Sequence, residues 1–250
     1  TQIFKTPFSS TGTSLKEGMI WDKTGHFREK SWDAMRQHAR EMEQAVLFGF
    51  RSKNNQDNGV GSNTPLRTMD GVYSFLRTWD SDQGATQDSD DDKRIITNSA
   101  GTMSMKDYED YMGRLFTDTN DKNFEKICFC GSGHLATLNR ILDGRVVMNT
   151  TMLGDDTFRF KVVEVTTIHG TVYYRTHPLF TNNVDHKFGG LYLDINNLAL
   201  RPLTDRDTFL HRNIQPNDAD YIKHQYVSEV GLENIFPESH MYIGNMQEVA

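Results

Sequence analysis

Apolar positions along the chain switch from a helical to a strand period about half-way. Residues 1–10 are rich in Thr, Phe and Ile and read as an extended segment, punctuated by Thr11-Gly12-Thr13 and Lys16-Glu17-Gly18. From Ser31 to Gly49, apolar residues fall at Trp32, Met35, Ala39, Met42 and Val46, at steps of three, four, three and four. That spacing draws one apolar stripe along a helix. Ser31 is placed to cap its start and Gly49 to end it. Arg36, Arg40, Glu41 and Glu43 fill the other face, and a helix of this span is roughly 28 Å long.

Residues 53–64 are Asn- and Gly-rich and read as a loop and a boundary. A short helical stretch covers Met69–Thr78. Residues 80–92 carry Asp at 80, 82, 88, 90, 91 and 92, which predicts an exposed acidic loop. A second helix covers Ser104–Thr117, with Ser104 and Asp107 spaced as a capping box and Tyr108, Tyr111, Met112, Leu115 and Phe116 as its apolar side. Lys126–Cys130 is a short strand. Gly131-Ser132 then turns into a third helix, with Leu135, Leu138, Ile141 and Leu142 facing inward.

Beyond Asp143-Gly144 the period becomes two. Phe158, Phe160 and Val162 alternate with Arg159 and Lys161, and Thr171–Thr176 answers them across His169-Gly170 as a hairpin. Further strands are expected at Gly190–Asp194, Leu198–Leu203, Tyr221–Glu233 and Met241–Ile243. Helices early and strands late make the class α+β.

Composition narrows the function classes. The 250 residues are 36% hydrophobic and 24% charged, ordinary for a folded domain or two. The net charge is −7, opposite to the Lys/Arg surplus of a general nucleic-acid binder. No run of apolar residues has membrane-spanning length, so no membrane partner is expected. The start Thr1-Gln2-Ile3-Phe4-Lys5 lacks the features of a signal peptide, so the chain is expected to fold in the cytosol. The two cysteines, Cys128 and Cys130, sit too close for an unstrained bridge and read as free thiols of a reducing compartment.

Candidate chemistry is sparse. Cys128, Cys130 and His134 form a set of soft metal ligands, yet the spacing of a zinc ribbon is missing, and alternate strand positions read as core. Gly131-Ser132-Gly133-His134 is similar to a hydrolase turn, but Cys130 stands where a nucleophile elbow needs Gly, so Ser132 reads as a helix cap. Asp80-Ser81-Asp82-Gln83-Gly84 begins like a calcium loop, with Gly84 at the fifth position and Asp91 at the twelfth where the motif needs other residues. No phosphate-binding glycine loop is present. No catalytic residue, cofactor site or metal site is expected.

The order of the pieces resembles the major capsid proteins of tailed double-stranded DNA bacteriophages, with the Hong Kong 97-type fold. Thr1-Gln2-Ile3-Phe4-Lys5-Thr6 is similar to the returning strand of that family's extended loop. Ser31-Trp32-Asp33-Ala34 through Gln44-Ala45 is similar to its spine helix, and Arg67-Thr68-Met69-Asp70-Gly71-Val72 to the segment leaving it. Leu191-Tyr192-Leu193-Asp194 with Leu200-Arg201-Pro202-Leu203 matches strands returning from the axial domain. Glu229-Val230-Gly231-Leu232-Glu233-Asn234 to Met241-Tyr242-Ile243-Gly244 matches the final long strand.

The resemblance implies a structural subunit of an icosahedral head, built into pentamers and hexamers around double-stranded DNA. It implies residues 1–18 as the returning strand of an extended loop whose upstream arm is missing, reaching to a neighbour. Residues 19–63 and 197–250 become a peripheral domain around the spine helix 31–49, and 64–196 an axial domain with the acidic loop 80–92. The assembly residues it points to are Trp32, Met35, Ala39, Met42 and Val46 on the helix, packed on the late strands, and Ile3 and Phe4 on the arm. The implied partners are copies of itself in neighbouring capsomers, portal, scaffold or decoration proteins, and DNA bound without sequence preference. The expected location is the virion, after assembly in the host bacterial cytoplasm. Two alternatives stand beside it: an encapsulin-like nanocompartment shell of the same fold, and a hydrolase or metal enzyme centred on Ser132/His134 or Cys128/Cys130.

Overall fold

The computed structural model describes residues 1–16, 25–54, 66–82, 93–97, 103–117, 124–142, 148–153 and 160–245. In chain order the elements are β1 (Gln2–Thr11), α1 (Gly12–Lys16), α2 (His26–Phe48), β2 (Lys53–Asn54), β3 (Leu66–Arg67), α3 (Val72–Asp82), β4 (Ile95–Thr97), α4 (Met105–Leu115), β5 (Glu125–Cys130), α5 (Ser132–Ile141), β6 (Met148–Leu153), β7 (Phe160–Thr166), β8 (Thr171–Thr176), α6 (Pro178–Thr181), β9 (Gly190–Leu193), β10 (Leu198–Pro202), β11 (Phe209–His211), β12 (Tyr221–Asn234) and β13 (Met241–Gly244). Helix and sheet mix as the α+β class requires.

The chain divides into two compact units. The first is Thr1–Ser74 with Leu200–Glu233, and the second is Phe75–Ala199 with Asn234–Ala250. These limits differ from the expected 64–196 and 197–250 segments at both ends. Residues up to Ser74 stay with the first unit, where β3 pairs with β2 and Met69 packs with Phe4 and Val230. Residues after Glu233 join the second, because β13 pairs with β4 on one side and β9 on the other.

In the first unit, β1 pairs antiparallel with β12 along its whole length, from Gln2 opposite Val230 to Thr11 opposite Tyr221. Period two then decides burial: Phe4, Thr6, Phe8 and Ser10 turn inward while Ile3, Lys5, Pro7 and Ser9 turn to solvent. One edge of β1 is taken up by its own chain, and β1 is the edge strand of the order β1-β12-β10. Pro7 removes an N–H from it, a loss that strands tolerate at edges.

α2 starts at His26, five residues before the expected cap. Ser31 therefore lies inside the helix, where its hydroxyl meets the Tyr226 hydroxyl at 3.0 Å. Gly49 ends the helix as expected, its N–H donating to the Ala45 carbonyl at 2.9 Å.

The second unit holds a seven-stranded mixed sheet, β4-β13-β9-β5-β8-β7-β6. The expected hairpin is β7 and β8, with Val163 opposite Tyr174 and Thr166 opposite Thr171; Phe158 and Arg159 lie outside the described residues. One face of the sheet presents Cys128, Cys130, Val165, Val172, Tyr174, Tyr192, Met241 and Ile243. α4 and α5 cover that face with Tyr108, Met112, Leu115, Leu138 and Leu142. α4 carries the predicted capping box: Asp107 N–H donates to Ser104 Oγ at 3.3 Å, and Ser104 N–H donates to the Asp107 carboxylate at 2.9 Å. That backbone donor, with the Ser104 hydroxyl, holds the Asp107 pKa below its usual value. For α5 the expectation fails. Its cap is Gly131, and Ser132 is exposed and makes no capping bond.

The acidic stretch also differs from its reading as a loop. Asp80 and Asp82 belong to α3, and the Asp80 carboxylate accepts the backbone N–H groups of Arg94 and Ile95 at 2.8 and 2.9 Å. Residues 83–92 lie outside the described residues.

Candidate assembly surfaces

α2 lies on the inner face of β1 and β12, and its contact is more polar than its sequence suggested. His38 is buried at 2% exposure. Its Nδ1 is 2.9 Å from Thr6 Oγ1 and its Nε2 is 2.7 Å from Ser228 Oγ. Thr6 Oγ1 also donates to the Glu41 carboxylate at 3.2 Å, and Ser228 Oγ donates to Thr208 Oγ1 at 2.8 Å. Burial lowers the His38 pKa, partly opposed by Glu41. The order Ser228, His38, Thr6, Glu41 is that of a nucleophile, a base and its orienting groups. Ser228 is completely buried, however, and nothing could reach its Oγ. The chain of hydroxyls and imidazole instead locks helix and strands in one register, since each buried polar group finds a partner. Phe8 stacks on Tyr226 at 5.7 Å and meets Phe27 at 5.5 Å, extending the same seam.

This geometry moves the sequence-predicted residues. Met42 and Val46 pack against the Phe4, Met69 and Val230 cluster, so these two and Phe4 lie inside the first unit. Trp32 and Met35 do not: each is 56% exposed. Ala39 is exposed as well, and so is Ile3. The buried side of the helix is Ala34, His38 and Leu47. The reason is steric and chemical together. Ala34 lets the helix approach the strands, and His38 is accepted inside because two hydroxyls satisfy it. A hydropathy stripe scores His as polar and therefore chose the neighbouring face.

In the second unit, the proposed metal and hydrolase groups are core. Cys128, Cys130 and His134 are each fully buried. His134 Nε2 is 3.1 Å from the Tyr192 hydroxyl, Tyr192 takes a hydrogen bond from Tyr174 at 3.4 Å, and Tyr174 meets Tyr108 at 3.0 Å. Burial pushes the His134 pKa down to about 4, raises the Cys128 thiol, and raises Tyr108, Tyr174 and Tyr192. The His134 imidazole, the Cys128 thiol and the three phenols are thus each neutral at pH 7, as burial in a core requires. Among the described residues, no group of three His, Cys, Asp or Glu is arranged to hold a metal ion.

A shallow cleft of about 150 Å³ opens on the other face of that sheet, lined by Glu125, Ile127, Tyr173, Leu193, Asp194, Ile195 and Asn196. Its buried carboxylate is already committed, since Asp194 accepts from Asn196 N–H at 3.0 Å and from Asn197 Nδ2 at 2.9 Å. No converging acid, base and nucleophile appear there. The second unit also projects apolar side chains at one end of its sheet: Ile168 at the β7–β8 turn is 93% exposed and Phe124 before β5 is 62% exposed. The two ends meet through Thr171 N–H donating to the Phe124 carbonyl at 2.8 Å.

Comparison with known proteins supplies the family. Residues 1–247 match the family described as SU10 major capsid protein. The chain belongs to that family. It is a structural capsid subunit of the phage major capsid kind, a component of the virion, and not an enzyme. Solved structures place the fold as Hong Kong 97-type. The holo-SrpI encapsulin complex from Synechococcus elongatus PCC 7942 aligns with a TM-score of 0.59 at 8% identity, over 100% of this chain and 76% of that one. The capsid asymmetric unit of cyanophage A-1(L) gives 0.56 at 11% identity, over 99% and 78%. The procapsid of satellite phage P4, which includes its size determination protein, gives 0.55 at 11%, over 99% and 76%. Comparison with curated proteins gave no match. At such identities the structures speak for the fold alone. No described helix of this major capsid protein is long and apolar enough to cross a membrane.

Proposed function

We propose that this capsid protein closes into an icosahedral head of pentamers and hexamers around double-stranded DNA. The observation that carries the reading is the family match across residues 1–247. On this reading the first unit is the peripheral domain with α2 as its spine, and the second is the axial domain, whose ends meet around the symmetry centres. Each contact joins a patch on one copy to a different patch on the next, the type that closes into rings. Individually weak contacts then add through effective concentration once several are made at once. Partners are copies of itself in adjacent capsomers, with portal, scaffold or decoration proteins at special positions. The DNA is enclosed without sequence preference; a subunit of net charge −7 lacks the cationic surplus that would grip it. Assembly belongs in the cytoplasm of the bacterial host.

The test is the mass and contents of the purified particle. Light scattering and negative-stain microscopy should show megadalton shells, and nuclease-protected DNA inside them. A small oligomer would overturn the reading. Shells filled with protein cargo and no DNA would favour the nanocompartment alternative, which the encapsulin likeness keeps as a second reading.

A further inference from the structure

The hydrogens in the α2 seam can be counted. Four links join Glu41, Thr6, His38, Ser228 and Thr208 in a row, and each needs a donor. Thr6 donates its one hydroxyl hydrogen to the Glu41 carboxylate, so its oxygen is left to accept from His38 Nδ1–H. At the other end Ser228 donates its one hydrogen to Thr208 Oγ1, so it meets His38 Nε2 as an acceptor. Completing all four links therefore takes a ring protonated on both nitrogens. A neutral ring is one hydrogen short. With Nδ1–H on Thr6, its bare Nε2 draws the Ser228 hydrogen away from Thr208. The groups facing the ring are few. α2 brings Glu41, whose other oxygen accepts from Gln37 at 2.9 Å. β1 brings Phe4 and Thr6, and β12 brings Tyr226 and Ser228, with His224 beyond Phe8. Before β11 stands Thr208, with Asp207 behind it accepting the Thr208 N–H at 2.6 Å. Glu41, acting through Thr6, is the anion that favours a charged ring.

We infer that proton uptake by His38 latches the segment leading into β11 onto β12, by turning the Ser228 hydrogen from the ring to Thr208. Thr208 is itself exposed, and the strand it opens is only three residues long, Phe209 facing Val227 and His211 facing Gln225. One added link is therefore a large part of what holds it. The ring binds its proton more tightly with the segment closed, where Thr208 takes the displaced hydrogen, than with the segment released. Closure is thus favoured as pH falls below 6.5 and weakened as pH rises. The comparison is with a released segment of the folded chain. Against the unfolded chain the same proton is unfavourable, because burial lowers the ring's pKa.

Amide exchange of the full chain at pH 7 and pH 5, corrected for the intrinsic effect of pH on exchange, tests the latch in wild type and in Thr208→Val. Valine keeps the branched shape at an exposed position and removes the acceptor. Wild-type protection of Phe209–His211 should rise about fivefold in acid, the worth of one net hydrogen bond. Thr208→Val should lack that rise and should match wild type at pH 7, where the link is open in both. The difference between the two proteins cancels any acid loosening they share. Side-chain nitrogen NMR should show the His38 ring passing from the Nδ1–H form to the doubly protonated form over the same interval. A rise of equal size in Thr208→Val would overturn the latch, and so would wild-type protection that does not rise relative to the variant. A variant already looser at pH 7 would show the link made by a neutral ring, and a ring still neutral at pH 5 would leave no proton to set it; either result ends the proposal.

Discussion

Acid should loosen the second unit through one imidazole. His134 is completely buried where α5 meets β5 and β9, with the Tyr192 hydroxyl on Nε2. Its ring neighbours are phenols, Tyr174 stacked at 6.4 Å and Tyr192 edge-on at 6.1 Å, and the Lys187 carbonyl is occupied by the His134 backbone N–H. Burial therefore lowers its pKa from 6.5 to about 4, with the Phe188 backbone opposing in part. The sign follows from where the proton binds. Above pH 6.5 the ring is neutral in both folded and unfolded chains and has no effect on the pH dependence. Between 6.5 and 4 the unfolded chain takes up a proton that the folded chain refuses, so stability falls as pH falls. The full loss is about 3 kcal/mol, because each tenfold weakening of proton affinity on folding is worth roughly 1.4 kcal/mol. His38 and His186, also lowered by burial, push in the same direction. The assay is therefore a comparison. Urea unfolding of the unassembled chain and of His134→Gln is measured at pH 7 and pH 4. The wild type should lose about 3 kcal/mol more than the variant across that interval. A difference that stays constant with pH, or an imidazole titration of His134 near 6.5 by NMR, would refute the reasoning.

Three further outcomes follow from the same geometry. His38→Ala opens a gap at the α2 seam and strips one partner each from Thr6 and Ser228, so thermal or urea unfolding should show a loss of about 2–3 kcal/mol; a change under ~0.5 would mean the relay is not structural. Ser104→Ala should cost about 1 kcal/mol by losing a capping box, whereas Ser132→Ala should be near neutral because Gly131 is the cap; equal effects would contradict the assigned caps. Cys128 and Cys130 should react with a thiol reagent only as fast as the chain unfolds, and rapid labelling of either in the native chain would show that they are not core.

The parts of this fold legible in the sequence are those in which local chemistry and tertiary packing ask for the same residue. Ser104 and Asp107 cap α4 because the box closes on itself within one turn. The β7–β8 hairpin is readable because its two strands are neighbours in sequence and alternate in register. Ser31 and Ser132 show the limit. Both precede apolar periodic runs and look like caps, yet Ser31 serves Tyr226, 195 residues away, and Ser132 is displaced from the cap by Gly131. Gly131 is required there because any side chain would meet the Lys187 backbone at 2.1 Å, a contact no local pattern encodes. The β13 strand is located by its sequence but falls in the other unit from the one expected for 197–250, since its partners β4 and β9 come from distant segments.

The misplaced face of α2 follows from how a shell subunit distributes apolar surface. Successive residues on a helix are about 100° apart, so the stripe Trp32, Met35, Ala39 and the stripe Ser31, Ala34, His38 are neighbouring faces of one rod. Toward the C-terminal half they converge on Met42 and Val46, which are packed inward whichever stripe is followed. An apolar period in a protein that works alone reports one interface, the core. In a protein that works in contact with its own kind it reports two, and the stronger hydropathy signal need not be the internal one. Here the inner face is held by Ala34 and a hydrogen-bonded His38, which need no large apolar group, while the Trp and Met are left outside. Exposure, set against a core closed without Trp32 and Met35, separates the inner from the outer face of this helix where the sequence period alone does not.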